Sequence, residues 1–193
     1  MKNVLLALTA ASAVAIATPA LAGDLSGEVR FGGVAKNQVN TTEYRVQFDD
    51  TLYNGLVNYG LELQTKQVDN NGPLGSLLSA KLGTAMPTVF GVKTAAYGEV
   101  GEALSPKVAT NRGNFEFWGA GVKAAYPVGG TALTLKAGYR HREGFKTVNL
   151  KEDRLNAGVD WHLTETTAIG ANYYRTTGSE RTDAIGVGIT HSF

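Results

Sequence analysis

The 193-residue sequence contains no cysteine. That excludes a disulfide-stapled scaffold, thiolate zinc sites and a cysteine nucleophile, and it leaves no cysteine to carry a lipid anchor. Neither charge is in clear surplus: 18 lysines and arginines stand against 17 aspartates and glutamates. No overall basic field is therefore available to attract nucleic acid. After the first 22 residues no apolar run approaches the roughly 20 residues that a membrane helix needs. The three histidines are far apart in sequence and suggest no metal-ligand cluster. Glycine, by contrast, is abundant at 24 residues, and the length suits one domain with a core of useful size.

The first residues read as an address. Met1-Lys2-Asn3 is a short positive start, Val4 to Ile16 is mostly apolar, and Thr18-Pro19-Ala20-Leu21-Ala22 ends in an Ala-x-Ala pattern. These are the three parts of a secretory signal peptide, with cleavage expected after Ala22. Removing 22 of 193 residues leaves 171, residues 23–193, with 17 basic and 17 acidic groups. A secreted chain without cysteine fits the envelope of a Gram-negative bacterium.

From Gly23 onward the apolar residues alternate with polar ones instead of recurring at helical spacing. In Leu133–Arg142, Leu133, Leu135, Ala137 and Tyr139 share one face, and Thr134, Lys136, Gly138, Arg140 and Arg142 share the other. In 152–163, Leu155, Ala157, Val159, Trp161 and Leu163 oppose Arg154, Asn156, Gly158, Asp160 and His162. Ten such segments are predicted: 24–34, 42–50, 54–66, 76–84, 88–99, 114–127, 131–142, 152–163, 166–176 and 182–193. Their connections alternate in length. Lys36–Thr41, Gln67–Gly75, Gly101–Gly113, Glu143–Lys151 and Thr177–Arg181 are polar and longer. Thr51-Leu52-Tyr53, Ala85-Met86-Pro87, Val128-Gly129-Gly130 and Thr164-Glu165 are short. Long loops at one end and tight turns at the other fit an outer-membrane barrel with extracellular loops and periplasmic turns.

A soluble β-sandwich also alternates, but it has little reason to place glycine on its polar face. Here Gly32, Gly60, Gly91, Gly138, Gly158, Gly170, Gly186 and Gly188 are read on that face, where they relieve crowding inside a narrow closed sheet. Hydrocarbon offers no partner for free backbone groups, so the sheet must close by pairing 182–193 with 24–34. Trp161 and Phe193 are expected at the turn-end interface, and Tyr44, Tyr139 and Tyr173 toward the loop end. Segment 114–127 fits less simply. Lys123 shares parity with Phe115 and Phe117, which requires a bulge or an inward-facing aromatic pair. The expected fold is a closed antiparallel transmembrane β-barrel of ten strands, with eight and twelve as the neighbouring counts.

The terminal run Ala184-Ile-Gly-Val-Gly-Ile-Thr-His-Ser-Phe193 resembles the signal that outer-membrane barrels present to their assembly machinery. Together with Asn156-Ala-Gly-Val-Asp-Trp-His-Leu-Thr and Ala171-Asn-Tyr-Tyr-Arg-Thr-Thr-Gly, it resembles the last three strands of Gram-negative porins. The likeness covers about the last 40 residues. General porins have sixteen strands, and 171 residues cannot make sixteen spanning strands plus loops. The resemblance therefore implies location and architecture more than a wide pore.

Enzymatic constellations are incomplete in this sequence. Asp160-Trp161-His162 is similar to the Asp-x-His pair of omptin proteases, but falls at the turn end and not at the extracellular rim. A barrel that modifies lipid A needs serine, histidine and carboxylate together. Neither His141-Arg142-Glu143 nor His191-Ser192 supplies that unit. Asp69-Asn70-Asn71-Gly72 reads as an ordinary turn, without the full spacing of a calcium loop. No enzymatic activity and no cofactor is expected.

The inward face carries the functional reading. Arg30, Arg45, Glu62, Lys93, Glu99, Lys136, Arg140, Arg142, Arg154, Asp160 and His162 are the candidate pore-lining residues, with Glu43 and Glu116 as further candidates for the loop-side half. They form either a salt-bridge lattice that fills the lumen or a narrow passage favouring anions weakly through excess arginine. The expected function is passive passage of ions or small polar solutes across the outer membrane. A non-conducting structural or adhesive barrel acting through its loops is the alternative. The expected partners are outer-membrane lipid and lipopolysaccharide, the barrel assembly machinery through Phe193, and small ions or solutes, with no nucleic acid.

Overall fold

A computed structural model describes residues 23–34, 39–68, 74–104, 114–145, 150–179 and 181–193. The expected signal peptide lies outside these residues, as does at least part of each of the five connections at the loop end. The described residues form ten strands. They are β1 (Asp24–Val34), β2 (Val39–Leu52), β3 (Val57–Val68), β4 (Leu74–Val89), β5 (Val92–Leu104), β6 (Phe115–Pro127), β7 (Leu133–Gly144), β8 (Lys151–His162), β9 (Thr167–Gly178) and β10 (Thr182–Ser192). Each pairs antiparallel with its sequence neighbours. β1 also pairs with β10, from Asp24 opposite Ser192 to Val34 opposite Thr182, so the barrel is closed as expected. The Phe193 N–H donates to Gly23 O at 3.0 Å and extends the seam by one bond.

The side-chain period of two sorts the two faces. Apolar residues point outward and remain exposed, with Leu61 at 55%, Leu82 at 64% and Ile185 at 61%. Charged residues point inward and are buried, with Glu62 at 0% and Arg142 at 1%. This reverses the usual distribution of a protein surrounded by water, where ionised groups are almost never fully buried unless paired. Tyr139 and Tyr173, expected toward the loop end, face outward from the middle of β7 and β9, and their hydroxyls donate to Asp153 and Asp183, each at 2.6 Å. Trp161 and Phe193 face outward at the turn end.

Several boundaries differ from the sequence expectation. β2, β3, β4, β5, β7 and β9 run further toward the loop end than predicted. The long–short contrast between connections therefore narrows and rests mainly on residues 105–114. The turn expected at Ala85-Met86-Pro87 lies instead at Phe90-Gly91, where both residues have positive φ. Pro87 sits in an irregular stretch between Met86 and Val89, where register shifts and its missing N–H breaks no ladder bond. Gly91 belongs to that turn and not to the inward face. In β6 both phenylalanines take the inward parity with Lys123, and Phe117 is fully buried. Glu116 is consequently turned outward, opposite Glu102 of β5.

Small inward residues make room for large ones on the adjacent strand. A Cβ on Gly101 would collide with the Phe117 ring and with the Leu78 carbonyl oxygen, and one on Gly158 would collide with the Asn172 amide. The glycines thus allow side chains to lie across the wall and fill a narrow lumen.

Candidate functional site in the barrel interior

Midway along the barrel, six cations and five carboxylates from seven strands form one layer. Glu62 of β3 is its centre. Its Oε2 accepts from Arg45 Nε at 2.9 Å, Arg45 Nη2 at 2.7 Å and Lys81 Nζ at 2.6 Å. Its Oε1 accepts from Arg142 Nη2 at 3.0 Å and Arg140 Nη1 at 3.3 Å. The last two bonds cross the lumen from β7 to β3. Arg142 also donates through Nε and Nη2 to the two oxygens of Glu99, at 2.5 and 3.0 Å, and lies 5.0 Å from the Phe117 ring centroid. A two-pronged contact of this kind fixes the guanidinium plane as well as its charge.

A second group lies on the β1, β8 and β9 side. Arg30 donates to Glu28 at 2.8 Å and to Glu43, and its guanidinium carbon lies 4.0 Å from the Tyr174 ring centroid. Tyr174 donates its hydroxyl to Glu28 at 2.5 Å. Arg154 donates from Nε to Thr176 at 3.1 Å and approaches Glu43 and Glu152 at 3.5 and 3.4 Å. Arg140 joins the groups through Glu152 at 2.9 Å.

Two cavities flank the layer. The one toward the loop end measures about 260 Å³ and includes Thr41, Gln64, Lys66, Glu152 and Thr176 in its wall. The one toward the turn end measures about 530 Å³ and includes Asp49, Lys93, Tyr97, Lys123, Lys136, Asn156 and Asp160. Arg30, Arg154 and Tyr174 line both, whereas Glu62, Glu99, Arg142 and Phe117 line neither and are fully or almost fully buried. One side of the lumen is therefore solid, and on the other the cavities meet across three side chains.

All eleven residues singled out from sequence take the inward parity, but they do not form one group. Arg30, Arg45, Glu62, Glu99, Arg140, Arg142 and Arg154 make up most of the central layer. Lys93, Lys136 and Asp160 line the turn-end cavity, with Lys136 and Asp160 paired at 2.6 Å. His162 lies at the turn-end rim, exposed, with Nε2 3.0 Å from the Thr134 hydroxyl and not bonded to Asp160. His191 meets Thr167 at 3.0 Å, and Ser192 donates to Asp24 at 2.6 Å, so these neighbours point apart. His141 faces outward and meets Asp153 at 2.8 Å. Glu28, Glu152, Lys81, Phe117 and Tyr174 were not among the sequence candidates. Parity held the signal: Glu28 is two residues before Arg30, and Glu152 two before Arg154.

The excess of arginine expected along the passage is largely cancelled. In the layer, Arg30, Arg45, Lys81, Arg140, Arg142 and Arg154 face Glu28, Glu43, Glu62, Glu99 and Glu152, one positive charge in surplus. Adding Lys66, Lys93, Lys123 and Lys136 against Asp24, Asp49 and Asp160 gives ten basic and eight acidic groups among the described inward positions.

No protein-family model matches the sequence, and no curated protein matches it. Solved structures do match by shape. The β domain of the Bordetella autotransporter BrkA superposes with a TM-score of 0.57 at 13% identity, covering 89% of this chain and 99% of that one. The KdgM porin in complex with disordered oligogalacturonate gives 0.52 at 11% identity, covering 88% and 99%. The NanC porin gives 0.50 at 9% identity, covering 89% and 100%. The fold is that of a small outer-membrane β-barrel. In barrels of that fold the exposed outward residues are the lipid-facing band, and here Trp161 and Phe193 stand at its turn end. The buried layer is then the interior of a closed barrel with the fold of outer-membrane barrels.

Proposed function

We propose that this barrel is a narrow passive channel for ions and small polar solutes, with a weak preference for anions. The observation that carries the reading is that the two polar cavities share Arg30, Arg154 and Tyr174. Side chains, and no backbone segment among the described residues, separate them at that point. Side chains move on far shorter timescales than a folded plug. The surplus of two basic groups along the interior supports the anion preference, and the ion pairs of the central layer keep it small. Two of the similar structures are named as porins, which adds support at the level of architecture. On this reading the first 22 residues direct export and the turn end faces the periplasm. Phe193 addresses the assembly machinery, and the outward band contacts phospholipid and lipopolysaccharide. The chain's own chemistry is not called upon to make or break bonds.

A second reading, a sealed structural or adhesive barrel, draws on the complete burial of Glu62 and Arg142. Planar-bilayer recording of the refolded protein separates the two. The channel reading expects discrete current steps well above bare bilayer and, in a potassium chloride gradient, a reversal potential displaced modestly toward that of chloride. Current no greater than bare bilayer would sink it and leave the sealed barrel.

A further inference from the structure

The turn end of the barrel is uneven. β4 and β5 continue past the last paired residues of both neighbours, Thr84 opposite Val57 of β3 and Lys93 opposite Ala125 of β6. Residues 86–92 form the end of this hairpin, with the Tyr126 ring of β6 beside Gly91 and Phe90 at the tip, 95% exposed. Phe90 and Gly91 have φ of 50° and 79°, the backbone of a tight hairpin turn that normally takes Asn-Gly. A bulky aromatic is disfavoured in that region, so its presence is not explained by the turn itself. The neighbouring β2–β3 turn repeats the feature with Tyr53, φ 52° and highly exposed. The two turns are tied together: Ala85 N and Thr84 Oγ1 both donate to Leu56 O, at 3.4 and 2.9 Å. No charged residue occurs from Thr51 to Leu61 or from Leu82 to Val92.

We propose that these joined turns are a bilayer anchor, with Phe90 and Tyr53 inserted into the phospholipid interface of the leaflet at the turn end. Lipid is favoured as the occupant because the surface is continuous with the lipid-facing band. Leu78, Leu82 and Met86 form one outward row that runs down β4 into the hairpin. Aromatic side chains favour that depth, where ring and headgroup region meet. On the wall nearly opposite, the outward row ends at Trp161 and Leu163 and is followed at once by Thr164-Glu165. The bilayer therefore reaches further along the β3–β5 wall, and the barrel axis leans from the membrane normal.

The test uses fluorescence. Phe90→Trp is placed in a chain whose own two tryptophans are removed by Trp118→Phe and Trp161→Phe, and the protein is refolded into phosphatidylcholine vesicles. Emission shifted to the blue, quenched more by phospholipid brominated near the carbonyl end of its chains than by acrylamide, is the expected result. Tyr53→Trp in the same background gives an independent reading if the first variant does not fold. Emission like that of free tryptophan in water, open to acrylamide and unaffected by bromolipid, would overturn the anchor and leave a periplasmic protein or a second copy of the chain as occupant. Neither measurement depends on conductance.

Discussion

The two sides of the barrel interior hold the same kinds of residue but pack them differently. On the β3–β7 side Glu62, Glu99 and Arg142 meet Phe117 with no cavity between them. On the β1, β8 and β9 side Arg30, Arg154 and Tyr174 stand between two cavities of about 260 and 530 Å³. Charge alone does not separate the sides, since both carry arginines paired with glutamates. The difference lies in how many partners each carboxylate holds and in what covers the pair. Glu62 accepts from four cations and is closed in by an aromatic ring beside Arg142, whereas Glu43 holds two cations at the edge of open space. The first side leaves no cavity, although Arg140 Nε and Arg142 Nη1 are buried there without a hydrogen-bond partner. On the second, three side chains stand between the cavities.

The comparison can be broken most severely at Glu62. Glu62→Gln would leave Arg45, Lys81, Arg140 and Arg142 without their common carboxylate, and losing one partner of a buried ionic network costs on the order of 3–5 kcal/mol. The expected outcome is a marked fall in the temperature at which the folded band disappears in heat-modifiability gels. An unchanged transition would mean that the solid side does not hold the barrel together. A smaller effect on folding and a larger one on conduction are expected from Tyr174→Ala, which removes the ring between the cavities. Single-channel conductance should rise several-fold, and no rise would place the limiting constriction elsewhere. Arg154→Gln should change least: its charge is shared between Glu43 and Glu152, and salt screens it beyond about 8 Å at physiological strength. A modest shift of reversal potential toward cations, shrinking as salt is raised, is the result to look for. A shift as large at high salt as at low salt would show that Arg154 acts by shape and not by charge.

The wall was readable in the sequence to a degree that the interior was not. Strands such as Leu133–Gly144 and Lys151–His162 alternate without interruption, and a period of two decides both the strand and the face of every residue. The hairpin at 82–92 was harder because proline is the strongest local punctuation. Pro87 suggested a turn at 85–87, and only the irregular register beside it lets the strand continue to Val89. Parity correctly turned Arg140, Arg142 and Glu62 inward, but nothing local could pair them. They lie 78 and 80 residues apart, and their contact is set by the circumference of the closed barrel. The salt-bridge lattice offered as one reading of the interior already contained Glu62 and Glu99, whereas Glu152, which pairs with Arg140 and Arg154, was not among its members. Lys123 illustrates a milder limit. Its parity with Phe115 and Phe117 allowed either a bulge or an inward aromatic pair, and the space over Gly101 favours the pair.

The bonds from Arg140 and Arg142 to Glu62 also bear on the order in which the barrel forms. They join the seventh strand to the third across the lumen, so hairpin formation along the chain cannot make them. They become available only when the sheet has curled far enough for those strands to face each other. Until then Arg140 and Arg142 cannot reach Glu62, which has only Arg45 and Lys81 of the adjacent strands, and an incomplete sheet holds water where the finished one excludes it. Neutralisation of the interior is thus coupled to curling of the whole wall, and a chain stalled with an open seam differs from the finished one in the hydration of its centre as well as in its edges.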